Sequence, residues 1–285
     1  MIKFIKYLLE AIIIYFFFIF GKIIGLTISR ILFSNIFKIV GPFVRSKKII
    51  NKNLKKFLKD KFENKKKDII SNMWANYGMT FIEYMFLKKF KNENLHITIE
   101  GEKILNNIYE KNKPVIFISG HFANFELMSM EIVKKKINLA TIYRPLNNYF
   151  LNPFMEYLRK KYICKNQIRK GISGVKEIIK YVKNNHSIAL MIDQRVSEGD
   201  KINFFGHEAL TTTLPAQIAL NYNMDVVPIF IERENLKKFT MKVFDPISFS
   251  NFKNKIEFSK NLNHVLEKMI EKNPNQWIWT HDRWK

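Results

Sequence analysis

Four short apolar runs, each closed by a polar or charged pair and set apart from the next by a helix-length stretch, constrain this chain more than any other feature of it. Pro114–Ser119, Leu139–Tyr143, Ser187–Ile192 and Val226–Ile231 have the length and β-branched content of strands buried on both faces. Helical patterns fall at about 122–136, 150–161, 173–184, 213–222 and 254–272, and a further strand, Phe239–Phe244, is expected at an edge. Strands alternating with helices of this length imply βαβ units, hence an α/β fold with a mainly parallel sheet flanked by helices. No internal repeat or Pro/Gly linker divides residues 68–285, so they read as one domain.

Open parallel sheets bind ligands outside the carboxyl ends of their strands. Here the four runs are followed by Gly120-His121, Arg144-Pro145, Asp193-Gln194 and Glu232-Arg233. Parallel strands would gather these groups at one edge. Solvated loop residues would give the same pattern, so the chemistry of the individual groups has to decide.

The first pair opens the segment His121-Phe122-Ala123-Asn124-Phe125-Glu126. A spacing of five is about 500° on an ideal helix, so His121 and Glu126 would not share a face if both were helical. They meet only if His121 lies in a turn and Glu126 in the early helix, which a strand–turn–helix reading supplies. A histidine is the side chain best suited to take a proton near neutral pH, and a carboxylate on its other ring nitrogen fixes the tautomer. No serine stands in a GxSxG setting to act as enzyme nucleophile. The single cysteine, Cys164, has no motif around it, and a lone cysteine forms no intrachain disulfide. The chemistry left is a base that activates the hydroxyl of an acceptor. His96, His186, His207, His264 and His281 show no HxxxH or HxxH pairing, so no metal site is indicated.

The N-terminal part asks for a different environment. Lys22 is the one charged residue between Glu10 and Arg30. About 20 apolar residues span a bilayer as a helix. A buried core helix would carry a similar run, but one without a polar face suits lipid better. Residues 1–33 are therefore read as a membrane-anchoring helix, which either spans or dips into one leaflet. Residues 34–67 form a basic, membrane-proximal segment, with Lys47, Lys48, Lys52, Lys55, Lys56, Lys59, Lys61 and Lys65–Lys67 against Asp60 and Glu63. Such charge is retained on the cytoplasmic side and drawn to anionic headgroups. Over the whole chain the formal charge is +23, which implies an anionic partner without choosing among nucleic acid, phospholipid and an acidic protein.

A longer series of motifs does choose. Besides 121–126 it contains Tyr143-Arg144-Pro145-Leu146-Asn147-Asn148, Arg159, Arg169-Lys170-Gly171, Asp193-Gln194, Phe204-Phe205-Gly206 with Thr211–Thr213, and a C-terminal Pro274-Asn275-Gln276-Trp277-Ile278-Trp279-Thr280-His281-Asp282-Arg283-Trp284. In this order, over nearly the whole chain, the series resembles the lipid A biosynthesis acyltransferases, the late-acting lauroyl/myristoyl transferases of lipopolysaccharide assembly. The resemblance implies an enzyme on the cytoplasmic face of the bacterial inner membrane. It would move a fatty acyl group from acyl carrier protein to a hydroxyacyl chain of a Kdo-lipid A precursor, with no cofactor beyond the thioester donor. His121 is the implied general base and Glu126 its partner. Arg159 and Asp193 match active-site positions, Arg159 to hold a phosphate or the oxyanion, Asp193 in a role left open between substrate and structure. Arg144 and Arg169 are further candidates for the acceptor's phosphates, and Gln194 for substrate contact. Ala123 and Phe125 stand where such enzymes often have Gly and Trp. The Glu-Gly-Thr motif of glycerophosphate acyltransferases is absent. The aromatic C-terminus is expected to pack the core or the membrane interface. Two other readings remain: the same chemistry on a lysophospholipid, aminolipid or glycolipid, and a non-enzymatic membrane-tethered binder of nucleic acid or anionic lipid; the motif series favours the first function, with no nucleic-acid partner.

Overall fold

A computed structural model describes residues 2–58 and 62–285. Lys59, Asp60 and Lys61 of the basic segment lie outside the described residues. In chain order the elements are α1 (Ile2–Ile24), α2 (Leu26–Val44), α3 (Lys47–Leu58), α4 (Phe62–Glu83), α5 (Leu87–Asn92), β1 (Ile97–Glu100), α6 (Glu102–Glu110), β2 (Ile116–Ser119), α7 (Glu126–Lys134), β3 (Leu139–Tyr143) and α8 (Asn152–Leu158). There follow β4 (Asn166–Arg169), α9 (Ile172–Lys183), β5 (Ser187–Met191), β6 (Asp200–Phe204), β7 (His207–Thr211), α10 (Leu214–Tyr222), β8 (Val226–Arg233), β9 (Phe239–Val243) and α11 (Lys255–Lys272).

Seven strands form one sheet in the order β1-β9-β8-β2-β5-β3-β4, and β6 and β7 make a separate antiparallel hairpin. From β8 to β4 all neighbours are parallel, while β9 runs antiparallel to β8 and carries β1 parallel to itself. The mainly parallel α/β architecture expected from the alternating runs is therefore present. Phe239–Phe244 is not an edge strand. β1, too short and too alternating to stand out in the sequence, pairs along it from Ile97↔Phe239 to Glu100↔Lys242. The helix expected from 122 begins at Glu126, because residues 121–125 form a turn.

Burial follows the two-residue period of a strand. On β2, Ile116 and Ile118 join one core cluster with Phe122, Leu266, Trp277 and Trp279, whereas Phe117 joins the other with Leu127, Met130 and Ile229. Side chains as fully buried as Phe117 or Ile116 each contribute about 1.5–3 kcal/mol. Trp277, Trp279 and Trp284 are all buried, so the aromatic C-terminus packs the core.

The N-terminal region is built from two long helices, broken at Gly25, whose φ of 81° suits glycine. Among the described residues α1 and α2 are the two helices long and apolar enough to cross a membrane. Each also has a side that packs on the body of the protein. Tyr15 donates from its hydroxyl to the Phe150 carbonyl (2.9 Å), Asn148 Nδ2 donates to the Tyr7 carbonyl (2.9 Å), and the Phe18 and Phe81 rings stack 4.9 Å apart. α2 lies tightly along α4. Its Gly41 leaves room for the Trp74 ring, and Gly78 of α4 meets the Phe33 backbone. Outward from these contacts α1 and α2 expose Phe4, Ile12, Phe16, Ile19, Ile31 and Phe43, an apolar surface far larger than water-facing helices carry.

Candidate active site

β2 and β5 are neighbours although their ends, Ser119 and Met191, lie far apart in the chain, and their register places the site. Ser119 pairs with Met191, the last pair of the ladder. Two residues beyond on each side stand His121 and Asp193. His121 Nδ1 lies 2.8 Å from Asp193 Oδ1, and the His121 backbone N–H donates to Asp193 Oδ2 at 2.8 Å. Trp277 Nε1 donates to the same Oδ2 at 2.9 Å. A carboxylate only accepts, so the proton sits on Nδ1 and Nε2 is left as the basic nitrogen. Asp193 is 2% exposed and His121 19%. Burial alone would raise the Asp193 pKa; the facing imidazole and the three donated hydrogen bonds outweigh it and hold the carboxyl below its usual range.

The sequence placed Glu126 on the imidazole. In the structure the carboxylate on the second ring nitrogen is Asp193, and Glu126 is engaged elsewhere. Its Oε1 accepts from the Tyr84 hydroxyl (2.6 Å) and from Arg159 Nε (2.8 Å), with Arg159 Nη2 at 2.6 Å; Nη2 also donates to the Tyr84 oxygen at 3.2 Å. Arg159 opens a π-helical turn, Arg159–Ile163, directly after α8, a distortion that turns the guanidinium toward α7. Burial pulls the Arg159 pKa down, but Glu126 and Tyr84 more than offset it and leave it above its ordinary value. Burial, then the Glu126 charge, pushes the Tyr84 hydroxyl well up, so it stays protonated and donating. Tyr84 carried no signal in the sequence, since nothing in its local pattern tells its hydroxyl apart from an interfacial one.

The turn between β2 and α7 is held on both sides. Ala123 takes a positive φ of 43°, the reason a glycine suits this position. Its N–H donates to the Gln276 carbonyl (3.1 Å), and its carbonyl accepts from Thr80 Oγ1 (3.0 Å) and Asn76 Nδ2 (3.4 Å). Asn124 Nδ2 donates to Glu83 at 2.9 Å. Glu126 then begins α7, where an acidic side chain complements the helix N-terminus.

A cleft of about 430 Å³ opens over these groups. His121, Glu126, Arg144, Arg159 and Gln194 line it, along with Arg45 and Lys170, to which the sequence reading gave no role at the site. Phe125, Met128, Ile142, Leu146 and Leu214 supply an apolar wall. Arg169 is not among the lining residues: its Nη2 donates to both Glu156 oxygens (3.0 and 3.2 Å) and its Nε to the Tyr143 hydroxyl (3.1 Å). Of the fourth polar pair, Arg233 turns inward onto Glu83 and Glu232 pairs with Lys272 at 2.6 Å. Cys164 is buried, and burial pushes its thiol up to about 11, which leaves it unreactive. Among the described residues no group of three or more His, Cys, Asp or Glu is placed to hold a metal ion.

The pair at this half-apolar cleft is thus His121 with Asp193, where the motif series implied His121 with Glu126. Residues 3–285 match the model of the family described as bacterial lipid A biosynthesis acyltransferase. The chain belongs to that family. A lipid A biosynthesis acyltransferase of Haemophilus influenzae is 22% identical over 252 residues, covering 83% of this chain and 76% of the relative. Lipid A biosynthesis acyltransferase 2 of Shigella flexneri is 20% identical over 234 residues, 80% of this chain and 74% of the relative. Among solved structures, the 1-acyl-sn-glycerophosphate (LPA) acyltransferase PlsC from Thermotoga maritima aligns over 89% of this chain and 96% of its own, at 14% identity and a TM-score of 0.44. As a lipid A family acyltransferase the protein acts on lipid, and its two apolar helices suit association with a membrane.

Proposed function

We propose that this acyltransferase moves a fatty acyl group from acyl carrier protein to a hydroxyl on a hydroxyacyl chain of a Kdo-lipid A precursor, forming an acyloxyacyl ester. The observation that carries the reading is the His121–Asp193 pair, with Nδ1 tied to a buried carboxylate and the ring at the wall of an open cleft. Nε2 takes the proton of the acceptor hydroxyl as its oxygen attacks the thioester carbonyl. The tetrahedral intermediate expels the thiolate, and the imidazolium returns the proton to that sulfur. Asp193 keeps Nδ1–H in place throughout and stabilises the imidazolium. His121 is thus the general base, with Asp193 in the orienting place first given to Glu126. Glu126 acts one step away, fixing Arg159 at the cleft wall together with the buried Tyr84 hydroxyl.

The substrates fit the surface around the site. Arg144 and Lys170, at the ends of the adjacent strands β3 and β4, offer cations to the acceptor's phosphates, and Gln194 a neutral hydrogen-bonding group. The +23 balance suits an acidic carrier protein and an anionic leaflet. With α1 and α2 in the membrane and the basic α3 beside them, the catalytic body sits on the cytoplasmic face of the inner membrane.

The test is acylation of a Kdo-lipid A precursor from acyl carrier protein thioesters by membranes containing the protein. His121→Ala is expected to abolish transfer while the variant stays folded; full activity in that variant would sink the mechanism. Mass spectrometry of a deletion strain tests the acceptor: unchanged lipid A moves the same chemistry to another lipid alcohol.

A further inference from the structure

We propose that Glu83 is a positioning residue that ties the His121 turn to helix α2, so that the turn keeps its working geometry only while α2 is docked. Glu83 ends α4 and is fully buried. Its carboxylate gathers donors from three separate elements: Arg30 Nε of α2 at 2.6 Å, Arg233 Nη1 and Nη2 at the end of β8 at 2.5 and 3.0 Å, and Asn124 Nδ2 of the turn at 2.9 Å. Asn76 and Thr80, on the same face of α4, hold the carbonyl of Ala123. Asn76 Oδ1 in turn accepts from Arg233 Nε at 3.2 Å. The Oδ1 of Asn124 is buried with no hydrogen-bond partner among the described residues, so the bond to Glu83 is that side chain's one polar tie among them.

Arg30 gives the network its reach. It is 1% exposed and points inward from a helix whose outer face presents Ile28, Ile31, Ile39 and Phe43. Packing α2 on α4 needs no charge, since apolar side chains would do it without desolvating ions. A carboxylate shared between α2 and the turn instead makes one arrangement of the two elements fit together. Neither Arg30 nor Glu83 lines the cleft, so their effect on the reaction passes through Asn124 and the backbone of residues 121–126.

Arg30→Met separates the roles, because it leaves Glu83 and Arg233 as a balanced pair with no unpaired buried charge. Hydrogen exchange of the full-length protein in detergent is expected to speed up about tenfold at amides 120–127, with the distant sheet unchanged. Asn124→Ala should loosen the same amides while α2 keeps its protection. The kinetic arm alone rests on the acyl-transfer reading: both variants should lose about tenfold in kcat with KM within about twofold, and the double variant should lose no more than the worse single. If Arg30→Met does not accumulate, Arg30→Lys serves, since a point charge replaces the planar donor and about threefold faster exchange is expected at the same amides. Unchanged exchange in the turn of Arg30→Met or Arg30→Lys overturns the proposal, as do losses that multiply in the double variant. A wild type that transfers no acyl group while the exchange coupling is present would overturn the acyl-transfer reading instead.

Discussion

Asp193 holds His121 at two points, accepting from its backbone N–H on one carboxylate oxygen and meeting its Nδ1 with the other, each at 2.8 Å. The first oxygen also accepts from Trp277, so two donors converge there and one on the second. That asymmetry dictates what Asp193→Asn does. The amide oxygen takes the position with two donors, and the amide NH₂ faces Nδ1. The imidazole must then accept at Nδ1 and carry its proton on Nε2, the wrong tautomer for a base. A loss of about 10²–10⁴ in kcat is expected, with KM little changed and the fold retained. Steady-state kinetics beside a thermal melt checks this; wild-type kcat in Asp193→Asn would return the orienting role to another group.

The same pair sets an acid-side stability dependence. The Asp193 carboxyl titrates lower in the folded protein than in the unfolded chain, where it takes the ordinary value of about 3.9. A depressed carboxyl contributes stability that is fully present above the unfolded value and is lost as pH falls through that value toward the folded one. Asp193→Asn lacks this contribution at every pH. The gap in melting temperature between wild type and Asp193→Asn should therefore narrow as pH is taken from 7 down to 3. Thermal melts in detergent across that range measure it, and a gap that widens toward acid contradicts the pairing.

Glu126, Arg159 and Tyr84 act as a unit, and substitutions should show it. Glu126→Gln leaves a largely buried guanidinium without its counter-charge. With the pair about one-tenth exposed, a loss of about 2–4 kcal/mol is expected. Tyr84→Phe removes a hydroxyl bonded to both charged groups and should cost about 1.5–3 kcal/mol. The double variant Glu126→Gln with Arg159→Gln should be more stable than Glu126→Gln alone, because no unpaired charge remains. Urea denaturation of the four proteins checks the order; a double variant less stable than Glu126→Gln alone would show that the groups act independently.

The sequence made the parallel sheet legible because its central strands are buried on both faces and so read as unbroken apolar runs. β1 and β4 were not legible: each has only four residues, of mixed polarity, and owes its strand conformation to a neighbour distant in the chain. The same limit explains Asp193. It was visible as the residue after a strand, but its place beside His121 depends on β5 inserting between β2 and β3, an order local patterns do not encode. Glu126 was legible as a site residue, since a turn followed by a helix start brings it to the cleft. Its partners, Tyr84 and Arg159, come from a helix end and a π-helical turn that only the packed structure brings together. The N-terminal apolar run announced a lipid-facing surface, but Arg30, read there as a mere boundary, is the residue that α2 turns inward.

The seating of α2 on α4 gives the last prediction. A methyl group at Gly78 would come within 2.1 Å of the Phe33 carbonyl oxygen and 2.7 Å of its carbon, both backbone atoms that no rotamer change can move. Gly78→Ala therefore forces α2 away from α4. At Gly25 a methyl group meets nothing within 4 Å, so Gly25→Ala pays only for a backbone at φ 81° and ψ 165°, a region nearly confined to glycine, about 1–3 kcal/mol. Overpacking costs typically about 1–3 kcal/mol and occasionally more, and here the wall is the Phe33 main chain. Gly78→Ala should lower the melting temperature more than Gly25→Ala and also reduce kcat, because displaced α2 carries Arg30 away from Glu83. Gly25→Ala should leave kcat near wild type. Comparing melts and acyl transfer for the two variants separates steric displacement of the helix from backbone strain at its start; equal kcat in both would mean that the α2–α4 contact does not reach the His121 turn.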